Sequence, residues 1–303
     1  LASIFKRESW QAMLFILPAI VLLGGLLLYP LIYTIVLSFG NTNSRLQLTR
    51  WVGFDNYKTL FTTDKAFLNL DVFPPTGALI NNFKWVVLYT SLSLALGLLI
   101  AVLAARVRYE SFLKAIIFVP MAISATAVAI IWKFVYDPDP NIGSLNAVIT
   151  AFGADPIAWY GRADVVNYAL IFAYVWASTG FAMVVLSAAL KGISEEVIEA
   201  ARTDGASEWD IFRRIQLPLL SLPLAVVTVW LLINVIKLFD IIYVMTGGGP
   251  GAASEVIAFT MYDETFQNGE GGYGAAVAVV MLLLIIPIMA FNIRRFRSER
   301  VVG

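Results

Sequence analysis

Six long apolar runs constrain this chain more than any other feature. A helix needs about 20 mostly apolar residues to cross the hydrocarbon of a bilayer. The sequence supplies such runs at residues 12–39, 85–105, 112–135, 165–190, 219–245 and 273–293. Inside lipid the backbone amides of a spanning segment must pair within it, so runs of this length fold as helix. The predicted fold is an all-α integral membrane protein with six transmembrane helices in a single transmembrane domain over residues 1–303. Only 14% of the residues are charged, against about 25% in a soluble domain, so a water-facing surface of ordinary size could not be covered. Pro18 and Pro30 kink or delimit the first span, Pro120 frees a carbonyl and permits a bend in the third, and Pro287 bends the sixth.

Composition removes several function classes. The chain has no cysteine and no histidine, which excludes disulfides, thiol nucleophiles, the commonest metal ligand and the usual general base. No metal site, cofactor or catalytic residue is expected. The formal net charge is zero, so nothing points to nucleic acid. The glycines at 247–249 lack a following Lys-Ser or Lys-Thr at the spacing of a phosphate-binding loop.

Lys and Arg set the orientation, because they collect on the cytoplasmic side. With both termini inside, thirteen of the 21 basic residues fall on the inner side, counting Lys114 at the inner edge of the third span, six fall on outer segments, and Lys133 and Lys237 lie within drawn spans. This places the polar interval 191–218 in the cytoplasm.

That interval reads as two short helices around a bend. Ser194 is positioned to cap the first, with Glu195 and Glu196 in its first turn, where carboxylates meet the positive end of the helix dipole. Gly205 permits a turn without a Cβ penalty. Ser207 followed by Asp210 resembles a capping box. Trp209, Phe212 and Ile215 recur at helical spacing, and Pro218 permits a new helix to start. A connection between two spans does not require paired, half-apolar helices, so this one is shaped to fit a partner.

The pattern Glu199-Ala200-Ala201, three residues, Gly205, nine residues, Ile215, one residue, Leu217-Pro218 resembles the cytoplasmic signature loop of permease subunits in binding-protein-dependent ABC importers. Two further stretches are similar to the sugar branch of that family, of the maltose type: Trp51 to Tyr57 after the first span, and Leu238 to Pro250 at the end of the fifth. The runs Phe118 to Ser124 and Ile130 to Tyr136 look most like α-glucoside permeases. The resemblance implies a type I importer permease in a bacterial or archaeal plasma membrane. It implies a heterodimer with a second permease subunit, two ATP-hydrolysing subunits and an extracytoplasmic sugar-binding protein. It also implies that Glu199, Ala200, Ala201, Asp204, Gly205, Trp209 and Phe212 couple the chain to an ATPase. The maltose subunit carries extra N-terminal spans and a large outer domain that this sequence does not show, so receptor docking is expected to differ.

The same resemblance puts sugar-contact positions at Met121 and Ala125, at Tyr174, Ala177 and Ser178, and at Leu231, Asn234 and Val235. Several of these are not the maltose subunit's residues. Met121, Tyr174, Ser178 and Asn234 are the candidates for the substrate pathway. An aromatic face packs on sugar C–H surfaces, and hydroxyl or amide groups exchange hydrogen bonds with sugar hydroxyls. An alternative is an ion-coupled transporter in which Lys237 and Asp240 relay a proton or sodium. It lacks a deep carboxylate and leaves the Glu199 loop unexplained.

Overall fold

The computed structural model describes residues 14–299, with side chains through 290. Lys6, Arg7, Arg300, the side chains of Arg294, Arg295 and Arg297, and the first residues of the expected 12–39 span lie outside the described residues.

The chain divides into two compact units. The first comprises residues 1–63 and 261–280. It holds helix α1 (Leu14–Leu37), the antiparallel strands β1 (Gly40–Thr42) and β2 (Leu48–Trp51), and α2 (Asp55–Thr62). The Trp51 to Tyr57 stretch folds back on the end of α1. Phe39, Phe54 and Tyr57 form a ring cluster with centroids 5.3–5.9 Å apart. The Asn56 amide donates to the Ser38 and Gly40 carbonyls at 3.0 and 3.1 Å.

The second unit comprises residues 64–260 and 281–303. Its centre is α3 (Ala78–Ala104) packed along α7 (Val166–Lys191). α7 is mostly buried, which places it at the centre of this unit. Around this pair lie α4 (Glu110–Phe118), α5 (Ala125–Val135) and α6 (Ser144–Ala151). Next come α8 (Glu195–Thr203), α9 (Glu208–Leu219), α10 (Ser221–Ile236) and α11 (Asp240–Met245). The chain continues through α12 (Ile257–Tyr262) to α13 (Gly271–Glu299), which contains Pro287.

Three expected span boundaries are corrected. The second span begins at Ala78, not at 85. The added turns carry Asn81 and Asn82, which count as polar in water but are satisfied here. Asn81 Nδ2 donates to the Ala253 and Glu255 carbonyls at 2.9 and 2.8 Å. Asn82 Nδ2 donates to the Val235 carbonyl at 3.1 Å, and its Oδ1 accepts from the Ile257 N–H at 2.7 Å.

The third span is not one helix with a mild bend. α4 and its 3₁₀ extension Val119–Ala122 meet α5 at 101°. Pro120 supplies no N–H, Ile123 and Ser124 are extended, and the Ser124 hydroxyl starts α5 afresh by accepting from the Ala127 N–H at 3.3 Å. The fifth span stops at Ile236; residues 237–239 are not helical, and Asp240 opens a separate helix.

Pro30 and Pro218 sit in otherwise continuous helices, each two residues after a π-helical segment, Gly24–Leu28 and Phe212–Gln216. The wider turn passes the carbonyl register to the residue before the proline. Tyr29 N–H bonds Gly24 O, and Leu217 N–H bonds Phe212 O. Pro218 therefore does not start a helix. The break comes at Leu220, where α9 meets α10 at 67°.

Candidate functional site

The interval 191–218 folds as the bent helix pair α8–α9. Ser194 holds the cap position of α8, but its side chain accepts no bond from the helix. The first turn carries Glu195 and Glu196, whose charge complements the exposed N–H groups. At the other end Ala206 N–H bonds Ala201 O at 3.0 Å and Gly205 N–H bonds Arg202 O at 3.0 Å. This is the paired closure of a Schellman turn, and Gly205 takes the left-handed backbone it needs, φ +85°. Ser207 then caps α9: its Oγ accepts from the Asp210 N–H at 3.2 Å and its hydroxyl donates to Asp210 Oδ2 at 2.5 Å. The shorter Asp does the work of the usual Glu because Ser207 also bonds its carboxylate directly.

No residue of α8 is buried. Glu199, Ala200, Asp204 and Gly205 are exposed, and Ala201 is half-buried. On α9, Trp209 is 65% exposed and stands beside half-buried Phe212, with ring centroids 5.6 Å apart. Val197 and Trp209 thus give the hairpin apolar surface that folding of this chain leaves uncovered. Behind it lies a cavity of about 620 Å³ lined by Arg106, Glu110, Lys191, Glu199, Arg202 and Glu208, among others.

Glu208 ties the hairpin together. It accepts from Arg202 Nε at 2.9 Å and from Arg106 Nη2 at 3.1 Å. The Arg202 hydrogen bond, helped by both guanidinium charges, holds the Glu208 carboxyl below the usual carboxylate range. A lowered pKa favours the folded hairpin while Glu208 is ionised, and that contribution disappears as the pH falls through the lowered value. Both partners are exposed, so the effect is local and small. Hydrogen-exchange protection of residues 206–210 is expected to hold steady down to about pH 4.3, the free Glu value, and to drop below it. In Glu208→Gln this acid step should be missing.

The sugar-pathway candidates cluster in part. Tyr174 on α7 packs against Trp85 and Tyr89 of α3, with centroids 5.8 and 5.2 Å apart. Tyr89 donates to Ser178 Oγ at 2.9 Å, and both residues are buried. Tyr174 and Ser178 therefore share one aromatic cluster. Trp85 and Tyr89 complete the cluster without any sequence motif to mark them, although their spacing of four puts them on one helix face. Met121 lies half-buried in the 3₁₀ turn, which packs on α7. Asn234 is half-buried on α10, and its Nδ2 is held by the Trp230 carbonyl of its own helix at 2.8 Å. Neither shares a hydrogen bond with the Tyr174 cluster among the described residues.

Lys237 and Asp240, the pair that an ion relay would use, are separated by the helix break and are both exposed. No ion pair joins them among the described residues.

Comparison with known proteins agrees with this architecture. The family described as binding-protein-dependent transport system inner membrane component matches residues 93–294. The chain is 45% identical over 290 residues to the osmoprotective compounds uptake permease protein GgtC of Synechocystis, covering 94% of this chain and 99% of that one. It is 40% identical over 297 residues to the alpha-glucoside transport system permease protein AglF of Rhizobium meliloti, covering 96% and 84%. Among solved structures, a chain of a bacterial alginate ABC transporter in complex with an alginate pentasaccharide-bound periplasmic protein shares the fold. Its TM-score is 0.79 at 22% identity, over 99% of this chain and 98% of that one. With that family model matching two thirds of the chain and relatives 40–45% identical along nearly all of it, the chain belongs to the inner-membrane permease components of binding-protein-dependent ABC transport systems.

Proposed function

We propose that this chain is one half of the membrane channel of an ATP-driven importer for a sugar, an oligosaccharide or α-glucoside such as maltose or trehalose. The observation that carries the reading is the α8–α9 hairpin: a glycine-turned pair of helices that exposes Val197 and Trp209 while its base is fixed by Glu208. Both termini and this hairpin lie in the cytoplasm, as the Lys and Arg distribution favours. Glu199, Ala200, Ala201, Asp204, Gly205, Trp209 and Phe212 seat in a cleft of an ATPase subunit. ATP binding moves the hairpin and rocks the spans between inward- and outward-facing states. Nucleotide shifts that balance only through contacts that differ between the two states.

A second permease subunit, two ATPases and an extracytoplasmic sugar-binding protein complete the complex. The name of the alpha-glucoside permease AglF supports a glycosidic solute, and Tyr174, half-buried on a footing of fully buried Trp85 and Tyr89, is the ring of this cluster left to meet one.

The test is reconstitution of the chain with its partner permease, ATPases and binding protein, across a panel of sugars. ATP-dependent uptake of a glycoside supports the reading. Uptake by this chain alone on an ion gradient retires it. Within the working complex, Asn234→Leu is expected to lower uptake several-fold to about tenfold, the value of one hydrogen bond of about 1 kcal/mol. Unchanged uptake kinetics would remove Asn234 from the pathway.

A further inference from the structure

The glycine-rich stretch after α11 does more than end a span. It forms one wall of a second cavity, of about 450 Å³, lined by Lys65, Asn69, Thr76, Lys84, Asn167 and Ala253, among others. That wall is pinned. Asn81 Nδ2 holds the Ala253 and Glu255 carbonyls, and Asn167 Nδ2 holds the Ala253 carbonyl at 2.7 Å. A loop fixed by three amide bonds presents a set surface rather than an adaptable one.

The cavity carries one unmet demand. Lys65 is neutralised by Asp71 at 2.7 Å. Lys84 is half-buried, and among the described residues its ammonium reaches the Asn81 amide oxygen, at 3.4 Å, and no carboxylate within ion-pair distance. A half-buried cation without an anion is costly, and a visitor that brings a carboxylate relieves it, as an acidic residue in a peptide loop does.

We infer that this cavity receives an acidic loop residue of the extracytoplasmic sugar-binding protein. The inference rests on the proposed function and its orientation, which put the cavity on the outer face that such a protein visits. Lys84 supplies the charge that recognises the loop, and the pinned 251–253 wall supplies the shape.

The test titrates sugar-loaded binding protein against the reconstituted complex in nanodiscs, with ATP hydrolysis expressed relative to each variant's own basal rate. The concentration for half-maximal stimulation is expected to rise about tenfold in Lys84→Glu and several-fold in Lys84→Met. Lys84→Arg should remain near the wild type. Added salt should raise the wild-type value and leave that of Lys84→Met nearly flat, because salt screens an attraction the variant lacks. A wild-type half-maximal concentration in Lys84→Glu overturns the assignment. So does a shift that appears only in discs containing anionic lipid, which would make Lys84 a headgroup contact. Neither outcome touches the transport reading, which falls instead if the wild-type complex shows no stimulation by the binding protein.

Discussion

Gly205→Val is expected to cut ATP-driven sugar uptake at least tenfold, while Gly205→Asn keeps most of it. The difference isolates backbone conformation from crowding. No heavy atom of this chain lies within 4 Å of the position a Cβ would take at Gly205, and valine and asparagine are of similar size, so crowding is matched between the two variants. The backbone itself is left-handed, φ +85°. An L-residue there costs about 1–2 kcal/mol, Asn tolerates it best, and a β-branched residue is an outlier. Valine favours a turn without the two bonds that close α8, Ala206 N–H to Ala201 O and Gly205 N–H to Arg202 O. The hairpin then opens, and the positions of exposed Val197 and Trp209 relative to each other change. Uptake and hydrolysis measured separately in the assembled complex read the consequence: hydrolysis that continues without matching uptake. Glu199→Lys should give the same uncoupling by charge alone. Wild-type uptake in both Gly205→Val and Glu199→Lys, at normal assembly, would retire the coupling role of the loop.

The second large effect lies in the bundle. Gly180→Leu is expected to prevent stable assembly, and Gly180→Ala to destabilise the bundle by about 1–3 kcal/mol, the usual cost of overpacking. A Cβ at Gly180 would stand 2.6 Å from the Ile117 carbonyl oxygen and 2.9 Å from Phe118 Cα. These are backbone atoms at the end of α4, next to the Pro120 break, so no side chain can swing aside. In lipid, close backbone approach replaces the hydrophobic effect as the main source of helix association. Thermal unfolding in detergent should show a lowered midpoint for Gly180→Ala. Gly25→Ala, where nothing lies within 4 Å, serves as the matched control and should show no loss. Equal midpoints for the two variants would mean that α7 and α4 do not meet as closely as described.

The two glycines were not equally readable. Gly205 announced its turn because capping residues surround it: Glu195 and Glu196 before, Ser207 and Asp210 after. Gly180 stood among Ser178 and Thr179 as one more small residue, and only the approach of Ile117 gives it a reason. Ser178 illustrates the same limit. Its hydroxyl was legible as a group able to meet a sugar, yet its partner in the structure is Tyr89, on a helix whose first two turns the hydropathy pattern left out.

The sequence by itself determined that the chain crosses a membrane repeatedly and that residues 191–218 form a bent helical pair, because both follow from local chemistry: apolar length, capping oxygens and a residue free to take positive φ. Tertiary structure alone decided where the spans start and break. Asn81, Asn82 and Asn167 enter the bundle because the carbonyls of Val235, Ala253 and Glu255 and the N–H of Ile257 come to meet them from distant sequence. A window of neighbours scores an amide against water, whereas the folded chain scores it against the partner that replaces water.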